Sequence, residues 1–147
     1  VARAAQLPAR LEHFRVGDTQ VVLDGAHVAS SVRQVVAELA SDPRFRGPCT
    51  CVLALGREKD AQAILKALRP RVDRVLCTTV ASGPMVAAET LVREAAQMGM
   101  MAEKADDPAQ ALARALRNAG NERWVLVIGS FHLAGAVREM LLSRAKP

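Results

Sequence analysis

The sequence predicts an α/β domain: a mostly parallel mixed sheet, opened by an antiparallel hairpin and covered by helices on both faces, three layers in all. Three observations predict it. Thr50–Leu55 and Trp124–Ile128 are nearly continuous apolar runs, as expected of central strands covered on both sides. From Val28 onward, segments of helical period alternate strictly with short apolar runs. Ahead of them, two strand-like runs are separated only by Gly17-Asp18, a hairpin turn.

In order, Leu11–Val16 and Thr19–Leu23 are the hairpin strands. Val28, Val32, Val35, Val36 and Leu39 form the apolar stripe of a first helix, with Ser31, Arg33, Gln34 and Glu38 on its other side. Thr50–Leu55 is the next strand. Ala61, Ile64, Leu65 and Leu68 mark a second helix, capped by Asp60 and stopped by Pro70. Arg74–Cys77 is a strand. Ala88, Leu91, Val92, Ala95 and Ala96 mark a third helix that ends at Gly99, and a weak strand, Met100–Ala102, follows. The fourth helix has Asp107 as cap, Pro108 at its first position, Leu112, Ala115 and Leu116 inside, and Gly120 just past its end. After the strand Trp124–Ile128, a last helix from about His132 carries Leu133, Val137, Met140 and Leu141.

Composition bounds the function. At 147 residues, 50% hydrophobic and 24% charged, the chain is one domain with a continuous core and no room for a second. Roughly two-thirds of its unfolded surface can be buried, so staples are not needed. Three cysteines, an odd count, point to a reduced cytoplasmic setting. Cys49 and Cys51 lie on one strand face with no further Cys or His at zinc spacing, which makes them core residues. No run approaches the roughly 20 apolar residues of a membrane helix. The net charge of +5 invites nucleic acid as a partner, but the basic residues are scattered, and three Phe, one Trp and no Tyr cannot build a stacking platform. A modest positive field still suits an anionic small molecule. The chain starts at Val1, and residues 1–9 are expected to be an interdomain linker to a domain at 10–147, a piece of something longer.

Ligands of such sheets bind beyond the carboxyl ends of the strands. Four polar, Gly-rich segments fall there: Asp24-Gly25-Ala26-His27, Gly56–Asp60, Thr78-Thr79 with Ser82-Gly83-Pro84, and Gly129-Ser130-Phe131-His132. The helices that follow the first and last offer free N–H groups to a phosphate or carboxylate. The plainer alternatives stay open: Asp24 as a cap, His27 as a turn residue, Ser130 as a cap, and Gly56–Asp60 as a polar loop. No GxGxxG or GxxxxGKS is present, so the usual phosphate-cradling loops are excluded. A hydrolase triad of Asp24, His27 and Ser130 is also excluded, because Ser130 lies outside GxSxG and Asp and His only three apart are an unusual pair.

Taken in series, Pro8–Glu12 (PARLE), Val21–His27 (VVLDGAH), Lys59-Asp60, Val72–Thr79 (VDRVLCTT) and Val125–Glu139 (VLVIGSFHLAGAVRE) resemble the C-terminal domain of folylpolyglutamate and dihydrofolate synthases, within the Mur ligase superfamily. The match covers nearly the whole chain in the expected order. The resemblance implies a Rossmann-like domain. It also implies an ATP-dependent ligase in which ATP phosphorylates a substrate carboxylate and the amino group of glutamate attacks the acyl phosphate. The expected small molecules are ATP, Mg2+, glutamate and a folate or pteroate. The P-loop and metal ligands are expected in a central domain of the same polypeptide, so this domain alone is expected to be inactive.

By position, the resemblance assigns Arg10 to ATP phosphates and Asp24 to the nucleotide. His27 and Ser130 fall on the glutamate side as catalytic and binding residues, and His132 joins them where the family often has Tyr. Three positions depart from the pattern: Val28 where DGAHN continues with Asn, His132, and Met85 where an Arg is common. They motivate an alternative, a non-catalytic module that binds a ligand or partner and keeps only the fold. A phospho-receiver reading, from Asp24 and Thr78 at strand ends, lacks the Lys expected after the last strand, where Gly129-Ser130 stands.

Overall fold

A computed structural model describes residues 9–119 and 122–145. Glycine at position 17 starts the hairpin turn: its φ of +59° suits the first place of a two-residue hairpin loop. That turn joins β1 (Glu12–Val16) to β2 (Thr19–Leu23), which pair antiparallel. The chain then alternates through α1 (Ala29–Ala40), β3 (Cys49–Leu53), α2 (Ala61–Leu68), β4 (Val72–Cys77), α3 (Ala88–Gln97), β5 (Met101–Lys104), α4 (Pro108–Ala119), β6 (Trp124–Ile128) and α5 (Phe131–Ala145). The sheet order is β1-β2-β6-β3-β4-β5, with every pair after the hairpin parallel. The expected three-layer mixed sheet is the observed one, and the two apolar runs, β3 and β6, are its central neighbours.

Alternation along the strands sorts the core. On one face Val22, Cys51, Leu53, Val75, Leu126 and Ile128 pack under α1, α2 and α3. On the other, Val21, Leu23, Val52, Leu76, Val125 and Val127 pack under α4 and α5. The central strands β3 and β6 are therefore buried on both sides, which is why they read as nearly unbroken apolar runs. Cys49, Cys51 and Cys77 are buried free thiols of the first face. Burial pushes the Cys77 thiol up to about 12 and raises the other two as well.

Several ends differ from the sequence expectation by a few residues. Strand β1 begins at Glu12 because Leu11 has a φ of +48°, which no strand accepts. Strand β3 stops at Leu53, and Ala54 and Leu55 continue buried beyond its end. Strand β4 starts two residues earlier than expected, and β5 is shifted toward Lys104. Helix α5 starts at Phe131 because the Ser130 hydroxyl caps it. The Asp60 and Asp107 caps are present, accepting from the amides of Ala63 and Gln110 at 3.0 and 2.8 Å. An unexpected 3-10 turn at Pro43–Phe45, capped by Asp42, lays Phe45 against Trp124. The Gly120 helix stop and residues 1–8 of the expected linker lie outside the described residues. No helix among the described residues is long and apolar enough to cross a membrane.

Candidate functional site

The carboxyl ends of β2, β6, β3 and β4 form one rim, laced by backbone hydrogen bonds between loops. Asp24 N donates to Val127 O, Gly129 N to Ala26 O, Thr78 N to Leu53 O and Val86 N to Leu55 O, all at 2.9 Å. The loops after β3 and β4 are also zipped together, with Arg57 N donating to Pro84 O and Gly56 bridging to Met85. Gly129 has a φ of +112°, and a Cβ there would stand 2.5 Å from Ala54 O. Only glycine lets β6 turn into α5 this close to the neighbouring chain.

Two clefts open on this rim. The first, of about 560 Å³, is lined by Arg10, Asp24, Gly25, His27, Phe131 and the Ser31–Glu38 side of α1. The second, of about 340 Å³, is lined by His27, Lys59, Met85, Ser130, Phe131 and His132, with the Ser82–Pro84 loop. The structure thus brings Arg10, Asp24 and His27 together on one side and His27, Ser130 and His132 on the other. His27 and Phe131 belong to both clefts.

Asp24 is buried, at 7% exposure, and its carboxylate is engaged by the backbone. Oδ2 accepts from Leu11 N at 2.9 Å and Oδ1 from Ala26 N at 2.7 Å. It therefore ties the segment ahead of β1 to the turn after β2. Arg10 is exposed between Ala9 and Leu11, whose φ values of +58° and +48° make a left-handed kink in non-glycine residues. His27 Nδ1 lies 3.0 Å from Gly25 O and so carries the proton of that bond, which leaves Nε2 as the lone-pair nitrogen of the neutral ring.

The two helix ends differ. The Ser130 hydroxyl accepts from His132 N at 3.1 Å and Leu133 N at 3.3 Å, so the first turn of α5 is capped by its own side chain. At α1 the N-cap is Val28, which makes no side-chain cap and stands 44% exposed. Its first amides keep their capacity for an anion. His132 is exposed on the first turn of α5.

Two residues of the rim carry no assigned role in the sequence reading. Lys59 projects into the second cleft with its side chain only 24% exposed, its ammonium 3.6 Å from the Glu58 carboxylate. Phe131 is 56% exposed, yet its ring stands between the clefts. The Lys-Asp pair was a signal for the first. No pattern marks an aromatic whose place depends on a distant glycine. Among the described residues no three His, Cys, Asp or Glu side chains converge to hold a metal, so this rim does not fit a metal centre of its own.

The family of Mur ligases described as the glutamate ligase domain matches residues 9–131. The chain belongs to that family. This glutamate ligase domain is 30% identical to the folylpolyglutamate synthase of Lacticaseibacillus casei over 140 residues, 95% of the chain and 31% of the relative. Among solved structures it resembles E. coli FolC in complex with DHPP and ADP, with a TM-score of 0.85 at 26% identity, over 97% of this chain and 33% of that one. Mycobacterium tuberculosis folylpolyglutamate synthase complexed with ADP gives 0.84 at 25% identity, over 94% of this chain and 33% of that one. A bifunctional folylpolyglutamate synthase/dihydrofolate synthase with Mn, AMPPNP and L-glutamate bound gives 0.83 at 27%, over 95% and 32%. The glutamate ligase domain spans about a third of the length of these relatives. The family resemblance and the fold read from the sequence are both borne out.

Proposed function

We propose that the domain serves an ATP-dependent amide ligase that adds L-glutamate to dihydropteroate or a folate (poly)glutamate through an acyl phosphate. The observation that carries this reading is the pair of clefts meeting at His27 and Phe131, each with its own cationic group. Two charged substrates can approach one junction from opposite sides.

In this reading the first cleft takes the nucleotide. Arg10 and the uncapped amides of α1 meet phosphate oxygens, and Asp24 holds the turn that places them. The second cleft takes glutamate, with Lys59, Ser130 and His132 around its carboxylates. The substrate carboxylate attacks the γ-phosphorus and ADP leaves. The glutamate nitrogen then attacks the acyl carbon and phosphate leaves. His27, at the junction, takes the amine's proton on Nε2. Such a reaction depends on holding nucleophile and electrophile in line. ATP-side Mg2+ and a P-loop come, in this proposal, from a central domain of the same cytoplasmic polypeptide, with residues 1–9 as linker and 10–147 as the domain. The isolated domain is then inactive. Relatives bound to ADP, AMPPNP, Mn or L-glutamate support the substrate classes.

The test is ATP-dependent incorporation of labelled glutamate by the polypeptide that joins this domain to its P-loop partner. Arg10→Ala and His27→Ala are expected to lower turnover on the order of 10²-fold. Unchanged turnover in both overturns the assignment of these residues, and absence of any incorporation by the wild-type polypeptide favours the non-catalytic module that Val28, Met85 and His132 motivate.

A further inference from the structure

Phe131 is the one exposed large apolar side chain, among the described residues, that lines both clefts. An aromatic ring left 56% exposed on a polar rim forgoes most of its burial free energy, so packing does not explain it. Its position is nevertheless defined. The ring lies against Gly25 so closely that a Cβ there would stand 2.1 Å from Cδ1 and 2.2 Å from Cε1. It tilts at 59° to the His27 ring with centroids 5.5 Å apart. The Ser130 cap and the bond from Gly129 N to Ala26 O fix the helix start that carries it. The absent side chain of Gly25 is what makes room for the ring between the clefts.

We propose that Phe131, seated on Gly25, excludes water from the junction where the acyl phosphate meets the amine. This rests on the ligase reading above. In the productive step the amine nitrogen forms a bond to the acyl carbon, the bond from that carbon to the phosphate oxygen breaks, and inorganic phosphate leaves. The nitrogen's proton passes to a base. In the competing step a water oxygen forms the new bond, the same carbon–oxygen bond breaks, and the products are the starting acid and phosphate. Both steps spend one ATP, and only the first makes an amide. An apolar ring at the junction lowers local water and protects the intermediate from this side reaction.

The experiment measures phosphate released per amide formed in the polypeptide joining this domain to its P-loop partner. Wild type is expected near one. Phe131→Ala, at an exposed position, is expected to keep the urea midpoint and raise the ratio several-fold. Phe131→Leu, which keeps apolar bulk, is expected to stay near wild type. Gly25→Ala, which displaces the ring without removing it, is expected to raise the ratio like Phe131→Ala. If phosphate and amide fall together in Phe131→Ala at an unchanged ratio, the proposal is overturned while the ligase reading stands. Absence of any amide from wild type overturns both.

Discussion

Arg138 on α5 donates through Nε to both carboxylate oxygens of Glu12, at 2.9 and 3.2 Å, across 126 positions of chain. The same Glu12 Oε1 accepts from Ala9 N at 2.9 Å, and Gly25 N donates to Ala9 O at 2.8 Å. With Asp24 holding Leu11, these bonds enclose the left-handed kink that presents Arg10. A left-handed conformation in a non-glycine residue costs about 1–2 kcal/mol, so the kink persists because its surroundings impose it.

Breaking that ion pair should therefore move Arg10 without touching it. Glu12 and Arg138 side chains are 17% and 29% exposed. Glu12→Gln is expected to cost about 1–2 kcal/mol, between the values for exposed and buried pairs. Its larger effect should be on KM for ATP, approaching that of Arg10→Ala. Urea denaturation and initial rates against ATP check both parts. A loss of stability with an unchanged KM would show that the kink holds without the pair.

Two glycines near α5 should respond in opposite ways to the same substitution. Gly129→Ala forces a Cβ to within 2.5 Å of Ala54 O at a φ of +112° and is expected to destabilise by roughly 2–4 kcal/mol. Gly135 lies inside α5, where an added Cβ meets nothing within 4 Å. Gly135→Ala should stabilise by about 1 kcal/mol through helix propensity. Paired urea midpoints decide it, and equal shifts of one sign would contradict the geometry.

Acid should destabilise the fold through its paired carboxylates. The Arg44 side chain donates to Asp42 and holds its carboxyl at about 2. The Arg123 guanidinium, donating to Asp73 at 2.9 Å twice, also holds that carboxyl below its ordinary range. A depressed folded pKa gives stability that is present above the unfolded value, about 4, and lost as pH falls through the folded one. Urea midpoints are expected to fall between about pH 4 and 2. Asp73→Asn should lower the neutral midpoint and flatten the acid slope, whereas parallel curves would remove Asp73 from the account.

Much of this was legible in the sequence because its causes are local. Asp60 and Asp107 cap the helices that follow them, Gly17 turns the hairpin, and the unbroken apolar runs of β3 and β6 record burial on both faces. The five residues assigned by resemblance, Arg10, Asp24, His27, Ser130 and His132, all reached one rim because each follows or precedes a strand at its carboxyl end or joins the turn beside it. The sequence places Leu11 in a strand, whereas its positive φ is held by Asp24, 13 positions along the chain and outside any short window around it.

By itself the sequence determined the elements, their order, the mixed sheet and the family, since period, caps and motifs are properties of short stretches. Tertiary structure alone decided that β6 inserts between β2 and β3, and so that Phe131 comes to rest on Gly25. Strand order in a parallel sheet is set by which crossovers bury both faces at once, a condition on the whole chain. Where two clefts meet is therefore settled by packing between segments far apart in sequence.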